Sequence, residues 1–503
     1  MTRRSKGRTA AEVQHDVLVI GTGFGGAVTA ARLAERGLRV LALERGPWWG
    51  HAGAHADDSQ RRPFPQSVLG ARRVLRGVRA GRARVRRDFL VRADGLVELH
   101  LFDRLSVGTA SGVGGGSLIY GGLTAQPEAD FFEGLPAELT PEELRPYYAR
   151  VQAMLRPGRM PEPSERNVVF EQAVTAAGLP MPEYPQLAIA WGDDPRGGQV
   201  IENAAGELQT TAPHTGIHTT GRLERSKTTL DLTYVAHALR QGAEVRALTE
   251  ALAVTPSKHG YDVQWIDHRT GQRGRSRARR VVIAAGTLGT LRLLFAARDR
   301  DGTLPHVSSA LGRRFSPNGD VSLVVTGAAR LSGTDRGISG KPLVHGRLGQ
   351  RPYALAETDF LLAALRLPTP LRARAGRTTI LVGMGRERTT ATITYENGAL
   401  LTSADRTLDP ELYAHLENEL TAIAAGYEPQ ETNSRSSLVS VHPVGGASIG
   451  VDAEEGVVDH TGQVFGHPGL YVADASLYPL APGCPPSMTI AALAERQAEL
   501  MAA

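Results

Sequence analysis

Short apolar runs bounded by glycine open the chain. Residues 17–20, Val-Leu-Val-Ile, form a continuous apolar run of the kind that a strand buried on both faces requires. Residues 21–26 then read Gly-Thr-Gly-Phe-Gly-Gly, and 27–36 are rich in helix formers, with Gly37 set to cap the helix C-terminus. A second apolar run, 40–43, ends on Glu44. The pattern predicts strand, glycine turn, helix and strand, closed by an acid. Residues 281–297 make the longest apolar stretch, but Arg292 and glycines interrupt it, so it predicts a strand and turn rather than a membrane span. A helical run over 488–501 lies near the C-terminus. No repeat with a period of about 20–50 residues is visible, so solenoids and propellers are not indicated.

The first unit carries a chemistry. Gly21 permits a tight turn, Gly23 lets backbone N–H groups approach a pyrophosphate, and Gly26 allows close helix packing. The helix N-terminus adds partial positive charge, and Glu44, 18 residues after Gly26, is spaced to meet ribose hydroxyls. This full context points to a dinucleotide, and spacing alone leaves NAD and FAD both open. Residues 112–122 pack six glycines into eleven positions, too many for the interior of a helix or strand. Backbone there must come close to something flat or charged.

Composition narrows the picture. The chain has 503 residues, 41% apolar and 22% charged, which predicts a folded protein of two or three domains and excludes disordered, collagen-like and coiled-coil classes. The single cysteine, Cys484, cannot form an intramolecular disulfide and supplies at most one ligand of a cysteine metal cluster, so no metal site is expected. Two adjacent arginines near the N-terminus lack the apolar segment of an export signal, and the expectation is a cytoplasmic protein with no membrane span. Net charge is +5, yet residues 71–93 hold nine arginines against the single acid Asp88, and the remainder of the chain is slightly acidic. No aromatics interleave with these arginines as in single-strand nucleic-acid binders, so nucleic acid is not an expected partner. The segment reads either as a solvated face or as a clamp for an anion.

Later segments add a resemblance. Residues 112–122, Val441-His442-Pro443-Val444-Gly445-Gly446-Ala447 and Gly469-Leu-Tyr-Val-Ala-Asp474-Ala475-Ser476, taken with the N-terminal unit, resemble the glucose–methanol–choline (GMC) family of flavin oxidoreductases, and within it the non-covalent cholesterol oxidases. Residues 227–234, 281–289, 302–305 and 312–320, the last with its Pro317-Asn-Gly319, are similar to segments of that group, whereas 160–221 and 322–434 match loosely. The resemblance implies FAD. Its ADP half would lie on Gly21, Gly23, Phe24, Gly25, Gly26 and Glu44, with adenine near Ala251 and a second strand of the flavin domain ending at Gly286. Gly115, Gly116, Ser117 and Tyr120 would pass along the isoalloxazine, Asp474 and Ala475 would face the ribityl and pyrophosphate part, and Pro485 and Pro486 would border the ring. With no histidine or cysteine in 112–122, the flavin is expected to be non-covalent.

The same resemblance makes His442 the base that takes a hydroxyl proton. It also exposes a departure. Where the family has asparagine or a second histidine ahead of the final helix, this chain has Pro485, which offers neither a side-chain donor nor a backbone N–H. Tyr120 replaces an asparagine of the glycine loop, and Tyr478 and Cys484 are expected on the same wall. Glu357 corresponds to a glutamate that moves a proton in sterol isomerisation, or is simply a solvated carboxylate.

The expected fold class is α/β with an α+β substrate domain: a discontinuous Rossmann-like FAD-binding domain over 14–135, 222–320 and 436–503, and a sheet-based substrate-binding domain over 136–221 and 321–435. Arginine- and proline-rich patches at 47–84 and 363–377 read as lids or access loops. The expected function is oxidation of a bulky hydroxylated or alicyclic small molecule, sterol-like or from a tailoring pathway of secondary metabolism, with oxygen or another acceptor. A C–C desaturase, a redox-neutral isomerase and a catalytically silent flavoprotein are the alternatives.

Overall fold

The computed structural model describes residues 14–50, 61–62, 64, 70–82, 85–215, 225–332, 341–359, 375–429, 431–432 and 437–502. Most of the 363–377 patch, and part of 47–84, lie outside the described residues.

A seven-stranded sheet forms the frame. The strand Gln14–Ile20 lies between Val40–Leu43 and Arg273–Ile283, parallel to both. Its Val17, Leu18 and Val19 have no exposed surface, and Val40–Leu43 is buried throughout, which is why both strands are unbroken apolar runs rather than alternating ones. On its far edge Arg273–Ile283 divides its pairing: residues 273–278 run antiparallel to Gly260–Asp267, and 281–283 run parallel to Leu470–Val472. Residues more than 180 apart in sequence thus meet in one sheet.

The first helix, Phe24–Glu35, starts three residues earlier than the helix-former run predicts, inside the glycine motif itself. Its end is as expected: Gly37 has φ +80°, and the Gly37 and Leu38 N–H groups donate to the carbonyls of Ala34 and Leu33. The helix Ser487–Ala502 packs against it, with Arg32 donating to both oxygens of the buried Glu495.

Two further sheets flank this frame. One is antiparallel, in the order Leu343–Leu348, Arg351–Asp359, Thr379–Gly385, Val321–Thr326, Glu431–Thr432. The other contains Val439–Ser440, Ser106–Ala110, Val97–Phe102, Leu75–Arg82 and Val85–Leu90, so the arginine-rich segment is mostly a hairpin. Neither a uniformly solvated face nor a free clamp describes it. Arg76 is fully buried and donates to Glu250, while Arg79 donates to Glu98 and Asp88; Arg72, Arg82 and Arg87 face solvent. Among the described residues no helix is long and apolar enough to cross a membrane.

Candidate active site

One continuous cavity of about 610 Å³ runs from the glycine turn to the loop of His442. The first strand delivers the chain to Gly21, whose φ of +98° only glycine adopts freely. A Cβ on Gly26 would stand 2.1 Å from the Gly21 carbonyl oxygen, and one on Gly25 would stand 1.5 Å from that of Ala473, so the helix lies directly against the backbone. Gly23 is different: a Cβ there would meet nothing within 4 Å, because it faces the cavity. At the neighbouring strand end, Glu44 accepts from the Thr22 N–H (3.1 Å), the Thr22 hydroxyl (2.9 Å) and the Gly46 N–H (2.9 Å). Its carboxylate is therefore fixed at the edge of the cavity before any ligand enters.

The second glycine loop lies alongside. The Gly114 N–H donates to the Thr22 hydroxyl, and the Ser117 hydroxyl donates to the Gly114 carbonyl while accepting from Leu230. Gly115, Gly116 and Tyr120 line the cavity, as do Ala251, Gly286, Asp474, Ala475, Pro485 and Pro486; Ser117 is buried behind them. Asp474 accepts from the hydroxyls of Thr290 (2.5 Å) and Ser476 (2.6 Å), and its burial raises its pKa. Cavity, cradle and carboxylate suit a bound dinucleotide.

His442 stands at the other end. Its Nδ1 lies 3.0 and 3.1 Å from the two oxygens of Asp320, which also accepts the N–H groups of Val441 and His442. Because a carboxylate only accepts, this geometry assigns the ring proton to Nδ1 and leaves Nε2 as the basic nitrogen. The Asp320 loop is itself anchored: Asn318, fully buried, accepts from the Gly483 N–H and donates to the Cys484 carbonyl, just ahead of Pro485. Glu387 accepts from the Ser316 hydroxyl, the Gly319 N–H and the Tyr413 hydroxyl, and burial pushes its pKa up to about 7. Sequence reasoning assigned no role to Asp320, Asn318 or Glu387. The Pro-Asn-Gly turn at 317–319 was the available signal.

Several expectations are corrected. Glu357 lies on a strand where Ala356 and Thr358 face the cavity, so the two-residue period turns it to the opposite side. There it is not solvated: it is buried against the Arg166 guanidinium and accepts from Thr379. Tyr120 lines the cavity, but its hydroxyl is engaged, donating to the Thr228 carbonyl at 2.5 Å, and burial raises its pKa. Tyr478 is fully buried, donates to the Pro486 carbonyl and does not line the cavity. Cys484 does not line it either, and burial pushes its thiol up to about 12.

Comparison with known proteins agrees with this architecture. Residues 387–494 match the family described as GMC oxidoreductase, and 19–79 match an NAD(P)-binding Rossmann-like domain. The chain is 28% identical to a cholesterol oxidase of Mycobacterium tuberculosis, across 97% of this chain and 91% of that one. It is 26% identical to a cholesterol oxidase of Acinetobacter baumannii, across 96% and 93%. A fungal aryl-alcohol oxidase shares the fold, with a TM-score of 0.57 at 14% identity over 97% of this chain and 99% of that one. With its Rossmann-like frame and its GMC oxidoreductase segment, the chain is an oxidoreductase that is similar to the GMC family and resembles cholesterol oxidases over nearly its whole length.

Proposed function

We propose that the protein is an FAD-dependent oxidoreductase that oxidises a secondary or alicyclic alcohol of a bulky, largely apolar molecule, with His442 as the base. The observation that carries this reading is the Asp320–His442 pair on the wall of the same cavity that begins in the glycine cradle. The residues present fit FAD. Backbone at Gly23, Gly116 and Gly286 is bare to the cavity, where a Cβ would meet nothing within 4 Å, and Glu44 is preset at the strand end to receive ribose hydroxyls. We assign 14–135, 222–320 and 436–503 to holding the cofactor, and 136–221 and 321–435 to closing the substrate side.

When bound, FAD supplies the acceptor for the hydride that leaves the carbinol carbon. His442 Nε2 takes the hydroxyl proton, and the substrate becomes a carbonyl compound. Asp320 holds the imidazole through Nδ1–H and stabilises the imidazolium that results, as an orienting carboxylate does in other acid–base sites. The apolar wall formed by Leu123, Val321, Val382 and Met384 excludes water and receives the substrate body.

A second reading is favoured by Pro485 alone. It lines the cavity with no hydrogen to donate, so a redox-neutral isomerisation or a C–C desaturation, which need one hydroxyl contact fewer, suits the wall as built. Anaerobic mixing of the holoprotein with a panel of alicyclic alcohols tests the proposal. Bleaching of the flavin with formation of the ketone is expected. A product of unchanged mass, or one lacking two hydrogens at a C–C bond, supports the second reading, and no bleaching with any of them removes the first. Acid precipitation should release the flavin into the supernatant, as non-covalent FAD requires.

A further inference from the structure

We propose that Glu387, together with Tyr413, is a positioning residue for the reaction: from outside the cavity it holds the single turn that orients His442 and anchors the loop before Pro485. This rests on reading His442 as the base. Neither Glu387 nor Tyr413 lines the cavity, and both are buried. They come from the 321–435 segment, whereas His442 and Pro485 belong to the part assigned to the cofactor. The turn at 316–320 joins the two. Asp320 meets the imidazole Nδ1, and Asn318 takes the Gly483 N–H and donates to the Cys484 carbonyl.

The Glu387 carboxyl grips this turn on either side of Asn318. Its Oε2 accepts from the Ser316 hydroxyl (2.7 Å), and its Oε1 accepts from the Gly319 N–H (3.0 Å) and from the Tyr413 hydroxyl (3.0 Å). The Ser316 oxygen accepts in turn from the Asn318 N–H (2.8 Å). Asn318 and Gly319 have φ +62° and +63°, a left-handed pair that keeps its shape through its contacts rather than through intrinsic preference. Among the described residues no lysine or arginine hydrogen-bonds Glu387. The arginines of the adjoining elements pair with other acids: Arg386 with Asp130, Arg388 with Glu411, Arg351 with Asp409, and Arg406, over the Tyr413 ring, with Glu417. Burial without a countercharge pushes the Glu387 pKa up to about 7. Above that pH, ionisation sets a second carboxylate charge against the turn that already bears Asp320, and Tyr413 lies in the field of both.

The test follows anaerobic flavin bleaching of the FAD-loaded protein by the alcohol panel. Glu387→Ala should lower the limiting rate about 10- to 100-fold with substrate affinity and FAD content unchanged, the pattern of a misplaced base rather than a lost contact. Glu387→Gln, which keeps an acceptor, should stay within about threefold of wild type at pH 6. Its rate relative to wild type should rise at least about twofold by pH 8.5, because only the wild type ionises. A substrate-free measurement runs beside these. In protein labelled with ¹⁵N-histidine, the Nδ1–H resonance that His442→Ala removes should persist in Glu387→Gln, be lost or shifted upfield in Glu387→Ala, and move less in the same direction in Tyr413→Phe. A Glu387→Ala protein with wild-type rate and resonance overturns the proposal. So does one of normal FAD content that loses affinity and rate in equal measure, and so does a Gln-to-wild-type ratio that stays constant with pH. If Glu387→Ala does not fold, Tyr413→Phe and that ratio decide. A wild type bleached by no alcohol removes the alcohol-oxidation reading, and the resonance then decides this proposal by itself.

Discussion

The two ends of the cavity are built by different means. At the dinucleotide end, turn, helix and acid come from residues 21–44, and the hydrogen bonds that fix the Glu44 carboxylate span no more than 22 residues. At the His442 end, Asp320 reaches across 122 residues to the imidazole, and Asn318 reaches across 165 to the loop before Pro485. Backbone packing specifies the first end, where Gly25 and Gly26 lie against other backbone and tolerate no side chain. Long-range hydrogen bonds specify the second, and its side chains can be exchanged while the frame stays. Pro485, at which the resemblance implies a departure, lies in the loop that Asn318 holds at this second end.

The largest expected effect separates the ends directly. His442→Ala should lower the rate of anaerobic flavin bleaching about 10²- to 10⁴-fold with FAD content unchanged. Asp320→Asn should lower it in the same sense, with little change in substrate affinity. Loss of FAD from His442→Ala would show that the two ends are one unit and break the comparison.

At the cradle, substitution should act on binding and folding instead. Gly25→Ala puts a Cβ 1.5 Å from a backbone oxygen, which forces a shift costing on the order of 1–3 kcal/mol or more, so both Tm and FAD content should fall. Gly23→Ala meets no protein atom within 4 Å and should fold normally while losing FAD affinity. If the two alanines behave alike by thermal melting and by flavin fluorescence, the space at Gly23 is not the cofactor's.

What the sequence made legible follows the same division. The runs at 17–20 and 40–43 were readable as strands because a doubly covered strand must be apolar throughout, and Glu44 was readable because turn, helix and strand fix its distance from Gly26. The helix start was misjudged because Phe24 and Gly25 stand in a glycine-rich run that reads as a turn, whereas both are helical, with Gly25 directly against the Ala473 backbone. Glu357 was misplaced because a loose match ignores strand alternation; Ala356 and Thr358 point one way, so Glu357 points the other. Asp320 had only the preceding Pro-Asn-Gly turn as a signal and Glu387 had none, since each is defined by partners brought in by the tertiary fold.

Glu387 offers a smaller effect that reports on the long-range end. Its pKa is raised from 4.5 to about 7 in the folded protein, so between these values the folded state holds a proton that the unfolded chain has released. The stabilisation is complete below pH 4.5 and is lost as pH rises through about 7, a change on the order of 3 kcal/mol. Glu387→Gln keeps an acceptor for Gly319 and Tyr413 and removes the titration. The Tm difference between variant and wild type should therefore grow in the variant's favour from pH 5 to pH 7.5. A constant difference would show that Glu387 titrates as an ordinary carboxylate and that the anchor under Asp320 is not protonation-dependent.

The smallest expected effect falls on Pro485, where the comparison is most exposed. The loop is held from outside the proline, by the Gly483 N–H on Asn318 and by the Asn318 amide on the Cys484 carbonyl, so replacing the ring need not dismantle the wall. Pro485→Asn introduces a side-chain donor on the cavity surface and a backbone N–H that must find a partner. It also frees a backbone that two consecutive prolines restrict, so FAD content and Tm are checked first. One new hydrogen bond to a substrate hydroxyl is worth roughly 0.5–1.5 kcal/mol, which is about a 2- to 12-fold rise in bleaching rate with simple alicyclic alcohols. The rise should vanish in the His442→Ala background, because the new donor positions the hydroxyl for the base and does not replace it. With FAD content intact and alcohol oxidation still at its former rate, the proline is not what limits this chemistry. The apolar surface around it would then govern which hydroxyl reaches His442.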